Sequence, residues 1–187
     1  MLRLLTLLLV AAGAFAGPPQ FLLRDTQGRD HSAQEWRGVK GVVVFFVMTD
    51  CPLSTGYVPE MNRIRADYEK QGILFYAAHS DPAVADAIVR KHADEFGYTF
   101  PVLLDSKLAL ARAAGATIVP QVAVLSPSGE VLYLGRIDNR VEDLTRRRPA
   151  ATEHELRDAL DAVLAGKAPP QARTRAVGCY INLEGVK

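Results

Sequence analysis

The sequence predicts an α/β fold with a central mixed β-sheet and helices on both of its faces. The unbroken β-branched and aromatic run Gly41–Val47 is typical of a central strand covered on both faces. Strand-like and helix-like segments alternate after it, which indicates β-α-β units. Residues 122–125 and 131–134 are strand-like and flank the turn residues Ser126–Gly129, which predicts an antiparallel hairpin. Parallel and antiparallel neighbours together make the predicted sheet mixed.

The first elements are an N-terminal hairpin, the central strand and a long helix. Phe21–Leu23 enters a turn that contains Gly28, which predicts a hairpin extension before the main sheet. Proline at a first helical position favours a helix start, so we expect the helix to begin at Pro52. Gly72 is expected to end it. The apolar residues of this helix recur at helical spacing: Val58, Met61, Ile64 and Tyr68.

A second strand and helix follow. Ile73–Ala78 is apolar and predicts a strand. Asp81-Pro82 supplies an N-cap and a first-turn proline, so we expect the second helix to begin there. His92 falls on the apolar face of that helix, where a partly buried packing histidine is expected. The residues predicted to form this face are Val84, Ile88 and Phe96.

Two further helices complete the predicted fold. Phe100–Leu104 predicts a third strand, after which Asp105 is expected to cap a short helix that Gly115 ends. Near the C-terminus, Thr152 and Glu155 have the spacing of a capping box. The helix expected to start there presents one apolar face, made of Leu156, Leu160, Val163 and Leu164.

Residues 1–16 have the pattern of a secretory signal peptide. One arginine precedes an apolar stretch that ends in small residues, and cleavage is predicted after Ala16. The stretch is shorter than the roughly 20 residues that a membrane-spanning helix needs. We therefore expect an exported product, periplasmic or secreted, with one domain over 17–167 and a C-terminal tail over 168–187.

Composition excludes several classes of function. Hydrophobic residues make up 49% of the chain and charged residues 23%, which is globular rather than disordered. The 22 basic and 21 acidic side chains nearly balance, so no global field favours nucleic acid or a membrane surface. No later apolar stretch is long enough to cross a bilayer after signal cleavage. No glycine-rich phosphate loop or paired-carboxylate motif is present, and we expect no cofactor.

Cys51 is the first candidate for chemistry. It follows the buried strand and immediately precedes the helix that begins at Pro52, at the sheet edge where open α/β proteins place their sites. A helix N-terminus favours thiolate over thiol, whereas the neighbouring carboxylate of Asp50 opposes it. The alternative reading is a small buried hydrophobic residue, a role that free cysteine often has.

Two motifs resemble the thioredoxin-like superfamily, and within it the exported redoxin branch grouped as AhpC/TSA. These are Phe45–Ser54, which contains Cys51, and the later Val119-Pro120 at the start of a strand. The resemblance extends over nearly all of the mature chain and implies a thioredoxin-like fold. It also implies that Cys51 is the nucleophile, that Pro120 is a cis-proline beside it, and that the backbone of Val119 pairs with an extended substrate.

The chain departs from the resembled families at several positions. Where thioredoxin-type reductases have a second cysteine, this chain has Ser54, so no local dithiol forms. Peroxiredoxins carry a threonine three residues before their cysteine; here that position is Met48, and Thr49 is the nearest hydroxyl. Pro52 and Tyr57 are candidates to border Cys51, with packing as the alternative role of Tyr57. A single-cysteine peroxidase that uses an external thiol therefore remains an alternative function.

Cys179, in the tail, is the only other cysteine. In an exported protein the two thiols are expected to pair, either as a structural bridge or with Cys179 resolving an intermediate on Cys51. The substrate expected is a protein or small-molecule thiol, disulfide or peroxide, with an external thiol as reductant. A further alternative is a non-catalytic binding module. Copper binding by such a module would require Met48, Cys179 or His79 to converge on Cys51.

Overall fold

A computed structural model describes residues 20–184, and the predicted signal peptide lies outside the described residues. In chain order, the elements are β1 (Leu22–Arg24), β2 (Asp30–Ser32), β3 (Gly41–Val47), α1 (Pro52–Tyr68), β4 (Ile73–His79), α2 (Asp86–Phe96), β5 (Val102–Leu104), α3 (Ala109–Ala114), β6 (Ile118–Val119), β7 (Gln121–Leu125), β8 (Val131–Gly135), α4 (Glu155–Leu164) and β9 (Cys179–Tyr180). Short 3-10 turns cover Ala33–Trp36 and Glu69–Gln71. No helix in this part of the chain has the length and apolar character to cross a membrane.

The main sheet has five strands in the order β5-β4-β3-β7-β8. Strand β3 is parallel to β4 and antiparallel to β7, so the predicted mixed sheet is confirmed. All seven residues of β3 are buried, as expected for a strand covered on both faces. Strands β1 and β2 form the predicted N-terminal hairpin, and β6 pairs with β9 in a separate two-stranded ladder.

Helices cover both faces of the sheet, as predicted. Side chains alternate across β3, and Phe45 points toward Phe75 and Phe100, which line a cavity together with residues of α1 and α2. Helix α1 is fastened to α4 by the hydroxyl of Tyr68, which donates to Asp161 at 2.8 Å. Val44 and Phe46 point to the other face, where they and α3 line a common cavity.

The predicted start and buried face of the second helix are wrong. Asp81 closes a turn by accepting the backbone N–H of Ala83 at 2.9 Å, so α2 begins only at Asp86. Asp-Pro sequences fit such turns as well as helix starts. The buried residues of α2 are Val89 and Ala93, whereas Ile88 and Phe96 are exposed. The expectation for His92 is confirmed: it is half-buried and packs 4.5 Å from the ring of Phe96.

The predicted capping box is also wrong, and a distant residue takes its place. The side chain of Asn139 accepts the backbone N–H groups of Thr152 and Glu153. Glu155 does not reach back to Thr152, because its carboxylate binds the guanidinium of Arg136. The apolar face of α4 is present as predicted, with Leu156 and Leu160 buried and Val163 and Leu164 half-buried.

Helix α3 begins later than the sequence predicted, but its cap is the predicted residue. The carboxylate of Asp105 is buried and accepts three backbone N–H groups, those of Ala109, Leu110 and Ala111. Leu108, in the left-handed region, precedes the helix and turns the chain into it. The C-terminal segment after α4 runs back along the domain, where Thr174 bonds to the backbone of β8 before the chain reaches β6.

Candidate active site

Cys51 lies between the end of β3 and the first turn of α1. Its backbone is extended, with φ −97° and ψ 104°, and Pro52 is the first helical residue, as predicted. The side chain is completely buried, and its Sγ donates to the carbonyl oxygen of Val119 at 3.4 Å. The Val119–Pro120 peptide bond is cis. The structure therefore brings together the residues of the two motifs that carried the resemblance.

The C-terminal tail brings the second thiol to the same place. Cys179 pairs with Val119 in the β6–β9 ladder. Its Sγ donates to the Sγ of Cys51 at 3.0 Å, and both cysteines are free thiols. A disulfide requires a separation of about 2.05 Å, so bond formation needs an approach of about 1 Å. Two residues separated by 128 positions in the sequence thus lie within contact distance.

The two thiols differ in acidity. Burial by itself opposes ionisation of Cys51, but hydrogen bonds from Cys179 and from the backbone and hydroxyl of Ser54 outweigh it, so the pKa of Cys51 is lowered. Burial and the neighbouring Cys51 thiolate raise the pKa of Cys179. The buried Ser54 hydroxyl has no hydrogen-bond partner within residues 20–184, so it is available to the thiolate. Cys51 is therefore the thiol that ionises first.

Thr49 and His79 hold the loop that leads to Cys51. The backbone N–H of Thr49 donates to Nε2 of His79 at 3.3 Å. His79 is 4% exposed, and burial is the main reason that its pKa falls to about 4. Because Nε2 accepts a hydrogen bond, the neutral ring carries its proton on Nδ1. Thr49 contributes its backbone amide to this contact.

Tyr57 is buried against the loop that follows β8. Its hydroxyl donates to the carboxylate of Asp138 at 2.6 Å, and the guanidinium of Arg140 lies 4.5 Å from its ring centroid. Burial, together with the carboxylate of Asp138, raises the pKa of Tyr57. These contacts fasten α1 to that loop. Pro52, by contrast, is exposed beside Cys51.

The copper alternative required several soft ligands around Cys51. Within residues 20–184, no group of three or more His, Cys, Asp or Glu side chains is placed to hold a metal ion. Nε2 of His79 is occupied by the Thr49 amide. The structure brings only Cys179, of the proposed ligands, into direct contact with the Cys51 sulfur among the described contacts.

Sequence reasoning did not predict the contacts of three residues that shape the site, although it considered one of them, His79, as a copper ligand. Asp138 receives the Tyr57 hydroxyl, and His79 anchors the backbone of Thr49. Gly178 approaches the backbone of Val119 so closely that a Cβ there would lie 2.7 Å from the Val119 carbonyl carbon. The Gly178-Cys179 dipeptide was the available signal, since glycine beside a candidate reactive residue often marks close backbone approach.

The geometry defines a thioredoxin-like protein: a mixed sheet with helices on both faces, a cysteine at a helix start, and a cis-proline beside it. In agreement, the fold superposes on the thioredoxin domain of a thiol-disulfide oxidoreductase from Bacteroides vulgatus with a TM-score of 0.53, at 15% identity over 65% of this chain and 86% of that one. Residues 17–134 match the model of the AhpC/TSA family. The chain belongs to the AhpC/TSA family.

Individual relatives agree with this assignment. The chain is 34% identical over 123 residues to the thiol-disulfide oxidoreductase ResA of Geobacillus thermodenitrificans (strain NG80-2), which covers 65% of this chain and 67% of the relative. The structure is also similar to that of a hypothetical protein from Sinorhizobium meliloti 1021. The TM-score is 0.74 at 25% identity, over 91% of this chain and 95% of the other.

Proposed function

We propose that the protein is a thiol-disulfide oxidoreductase in which Cys51 is the nucleophile and Cys179 resolves the intermediate. The observation that carries the proposal is the 3.0 Å contact between a thiol of lowered pKa at a helix start and a second thiol on the tail. The thiolate is the attacking form of cysteine, and it is favoured here at Cys51. Relatives that are named thiol-disulfide oxidoreductases support this class of reaction.

The proposed reaction has two exchange steps. The Cys51 thiolate attacks one sulfur of a substrate disulfide; the substrate S–S bond breaks, and the leaving thiolate takes a proton from solvent. Cys179 then loses its proton and attacks the Cys51 sulfur of the mixed disulfide, which releases the second substrate thiol. The substrate disulfide is reduced to two thiols, and the protein is oxidised to the Cys51–Cys179 disulfide. An external dithiol reduces that bond and closes the cycle.

The remaining candidates have supporting roles in this proposal. The Ser54 hydroxyl donates to the Cys51 thiolate and stabilises it. The backbone of Val119 and the cis-proline Pro120 form the edge along which an extended substrate pairs. Thr49 contributes through its amide, which holds the loop before Cys51. Tyr57 positions α1 through its hydrogen bond to Asp138 rather than touching substrate.

Thiol trapping tests the redox step. The protein is equilibrated across dithiothreitol ratios, its free thiols are alkylated, and the Cys51–Cys179 bond is quantified by mass spectrometry. A catalytic bond should reduce at a potential above about −250 mV, whereas a structural bridge would resist reduction below about −300 mV. Absence of the bond in the oxidised protein would overturn internal resolution.

Turnover of the variants separates this function from the alternatives. Cys51→Ser should abolish disulfide reduction, and Cys179→Ser should abolish turnover while accumulating a mixed disulfide on Cys51. A Cys179→Ser variant that still turns over a peroxide with an external thiol would indicate a single-cysteine peroxidase. If both variants kept full activity, thiol chemistry would be contradicted altogether.

We also propose that the protein is exported and that residues 1–16 are removed, leaving a domain over 17–167 and the tail over 168–187. The charge, length and small-residue pattern of the leader supports this. Expression of the full-length gene product with a C-terminal tag, followed by fractionation and N-terminal sequencing, should give Gly17 as the first residue of the exported form. A product that begins at Met1 would contradict it.

A further inference from the structure

The end of the described chain occupies the strand edge beside Cys51. Strand β9 pairs antiparallel with β6, with Cys179 opposite Val119. Ile181, the first residue after β9, donates its backbone N–H to the carbonyl oxygen of Thr117 at 2.9 Å. Val119 is the residue whose carbonyl also accepts from Cys51, so this pairing covers the edge closest to the nucleophile.

A strand edge can pair with only one strand at a time on that side. While the tail is docked, Cys51 is completely buried, so an external disulfide does not reach it. Cys179 is partly exposed, but its pKa is raised, so it is the weaker nucleophile. The more acidic thiol is therefore covered, and the accessible thiol is the weaker nucleophile.

We propose that residues 176–181 are a tethered strand that occupies the substrate groove of Cys51, and that a polypeptide substrate enters by displacing this strand. The inference rests on the proposed function and adds its regulation and substrate class. The docked tail keeps the reduced protein closed, and its undocking opens the groove along β6.

The anchors of the tail allow such a motion. Upstream of the strand, Thr174 donates its backbone N–H to Leu134, and its hydroxyl hydrogen-bonds with the hydroxyl of Tyr133 and accepts the N–H of Arg136. These contacts lie on β8 and on Arg136 directly after it, and they do not involve β6. Undocking of the segment after Arg175 therefore breaks the packing of the buried Ile181 and the hydrogen bond from Arg112 to the Leu183 carbonyl, while the upstream anchor stays in place.

Gly178 defines which strand fits the groove. A Cβ at this position would overlap the carbonyl group of Val119 and would lie 3.2 Å from the side chain of Ile118. A backbone carbonyl within a ladder does not move aside as the end of a flexible side chain does. The occupant of the groove is thus an extended polypeptide with glycine directly before its reacting cysteine, as in Gly178-Cys179.

Alkylation of Cys51 tests the covering strand without requiring turnover. In the full-length reduced protein, Cys179→Ser leaves Cys51 as the only thiol, and iodoacetamide labelling is followed by mass spectrometry. Adding Gly178→Ala should raise the labelling rate of Cys51 by about tenfold or more, because the strand no longer docks. Adding Tyr180→Ala is the matched control: Tyr180 is in the same strand but is 80% exposed, and its replacement should leave the rate within about twofold.

Circular dichroism of each variant verifies that the domain remains folded. Equal labelling rates in the Gly178→Ala and parent proteins would overturn the covering role, and so would equal acceleration by both substitutions. Because labelling needs no substrate disulfide, this failure is distinct from a failure of the redox assays.

A second experiment, with a synthetic peptide, tests the groove itself. A synthetic peptide of residues 176–182, with serine replacing the cysteine, should bind the Cys179→Ser/Gly178→Ala protein in fluorescence anisotropy and should not bind the parent with its tail docked. The same peptide with alanine replacing glycine should bind at least about tenfold more weakly. Equal binding of the two peptides, or no binding of either, would overturn the proposed groove specificity.

Discussion

His79 links acidity to the stability of the Cys51 region, and replacing it with glutamine tests that link. The imidazole is 4% exposed, and its Nε2 accepts the backbone N–H of Thr49, two residues before Cys51. Burial is the largest cause that lowers the pKa of His79 from 6.5 to about 4. Protonation would place a charge in a buried site and would remove the acceptor of the Thr49 amide.

The sign and the size of the effect follow from these pKa values. Because the pKa of His79 is lower in the folded protein, the unfolded chain binds the proton more tightly, and acid favours unfolding. The stabilisation is complete above pH 6.5 and is lost as the pH falls through about 4. The linkage relation then gives a loss of about 2 kcal/mol at pH 5 and about 3 kcal/mol at pH 4.

Urea unfolding of wild type and His79→Gln between pH 7.5 and pH 4 measures this loss. The informative quantity is the difference in unfolding free energy between the two proteins at each pH, in which the shared titrations cancel. Relative to the variant, the wild type should lose about 3 kcal/mol over this range. A difference that changes by less than about 0.5 kcal/mol would refute the argument that folding keeps His79 neutral.

Asp105 supplies a control of opposite sign, since it lines the same small cavity as His79. Burial is the largest cause that raises the pKa of Asp105 from 3.8 to about 6. A raised carboxyl pKa means that the folded protein binds the proton more tightly, so its contribution to stability grows as the pH falls from about 6 toward 3.8. Relative to Asp105→Asn, the wild type should gain about 2 kcal/mol by pH 4. The difference in unfolding free energy between wild type and variant should change with pH in opposite directions for His79→Gln and Asp105→Asn. A change in the same direction for both would contradict the pKa shifts assigned to the two residues.

Three further substitutions test the packing and the site. Tyr57→Phe should lower the free energy of unfolding by about 1–2 kcal/mol, because Asp138 loses its 2.6 Å hydrogen bond, and unchanged stability in urea would contradict this. Leu156→Ala, at a completely buried position, should lower the free energy of unfolding by about 2–5 kcal/mol. Leu144→Ala, at 69% exposure, should lower it by less than about 0.5 kcal/mol, and equal losses would contradict the assigned core. Ser54→Ala, made in the Cys179→Ser background, should raise the pKa of Cys51, so its alkylation profile moves to higher pH. An unshifted profile would show that the hydroxyl does not stabilise the thiolate.

Elements with strong local signals were predictable. Strand β3 was predicted with its observed bounds, because an unbroken run of seven apolar residues is typical of a strand that is covered on both faces. The start of α1 at Pro52 and the left-handed glycine at Gly72 also follow from local backbone preferences. In each case the residues that determine the structure are neighbours in the sequence.

Predictions failed where a distant partner competed with a local one. The capping box at Thr152 had the right spacing, but Asn139 reaches the N–H groups of Thr152 and Glu153 from another loop, and Arg136 draws Glu155 away. A charge-assisted contact of this kind outweighs a weaker local cap. The face of α2 failed for a different reason: Ile88 and Phe96 lie on one stripe of the helix, but the helix buries the neighbouring stripe of Val89 and Ala93.

The sequence by itself determined the fold class, the position of a candidate nucleophile at the start of α1, and the expectation that two thiols would pair. Tertiary structure alone decided that Cys179 reaches Cys51 by adding a strand to β6, that Cys51 is completely buried, and that Gly178 is the residue that permits the approach. The physical reason is that local backbone preferences act between neighbouring residues. The pairing of a two-residue strand depends instead on which edge is free once the whole domain has folded.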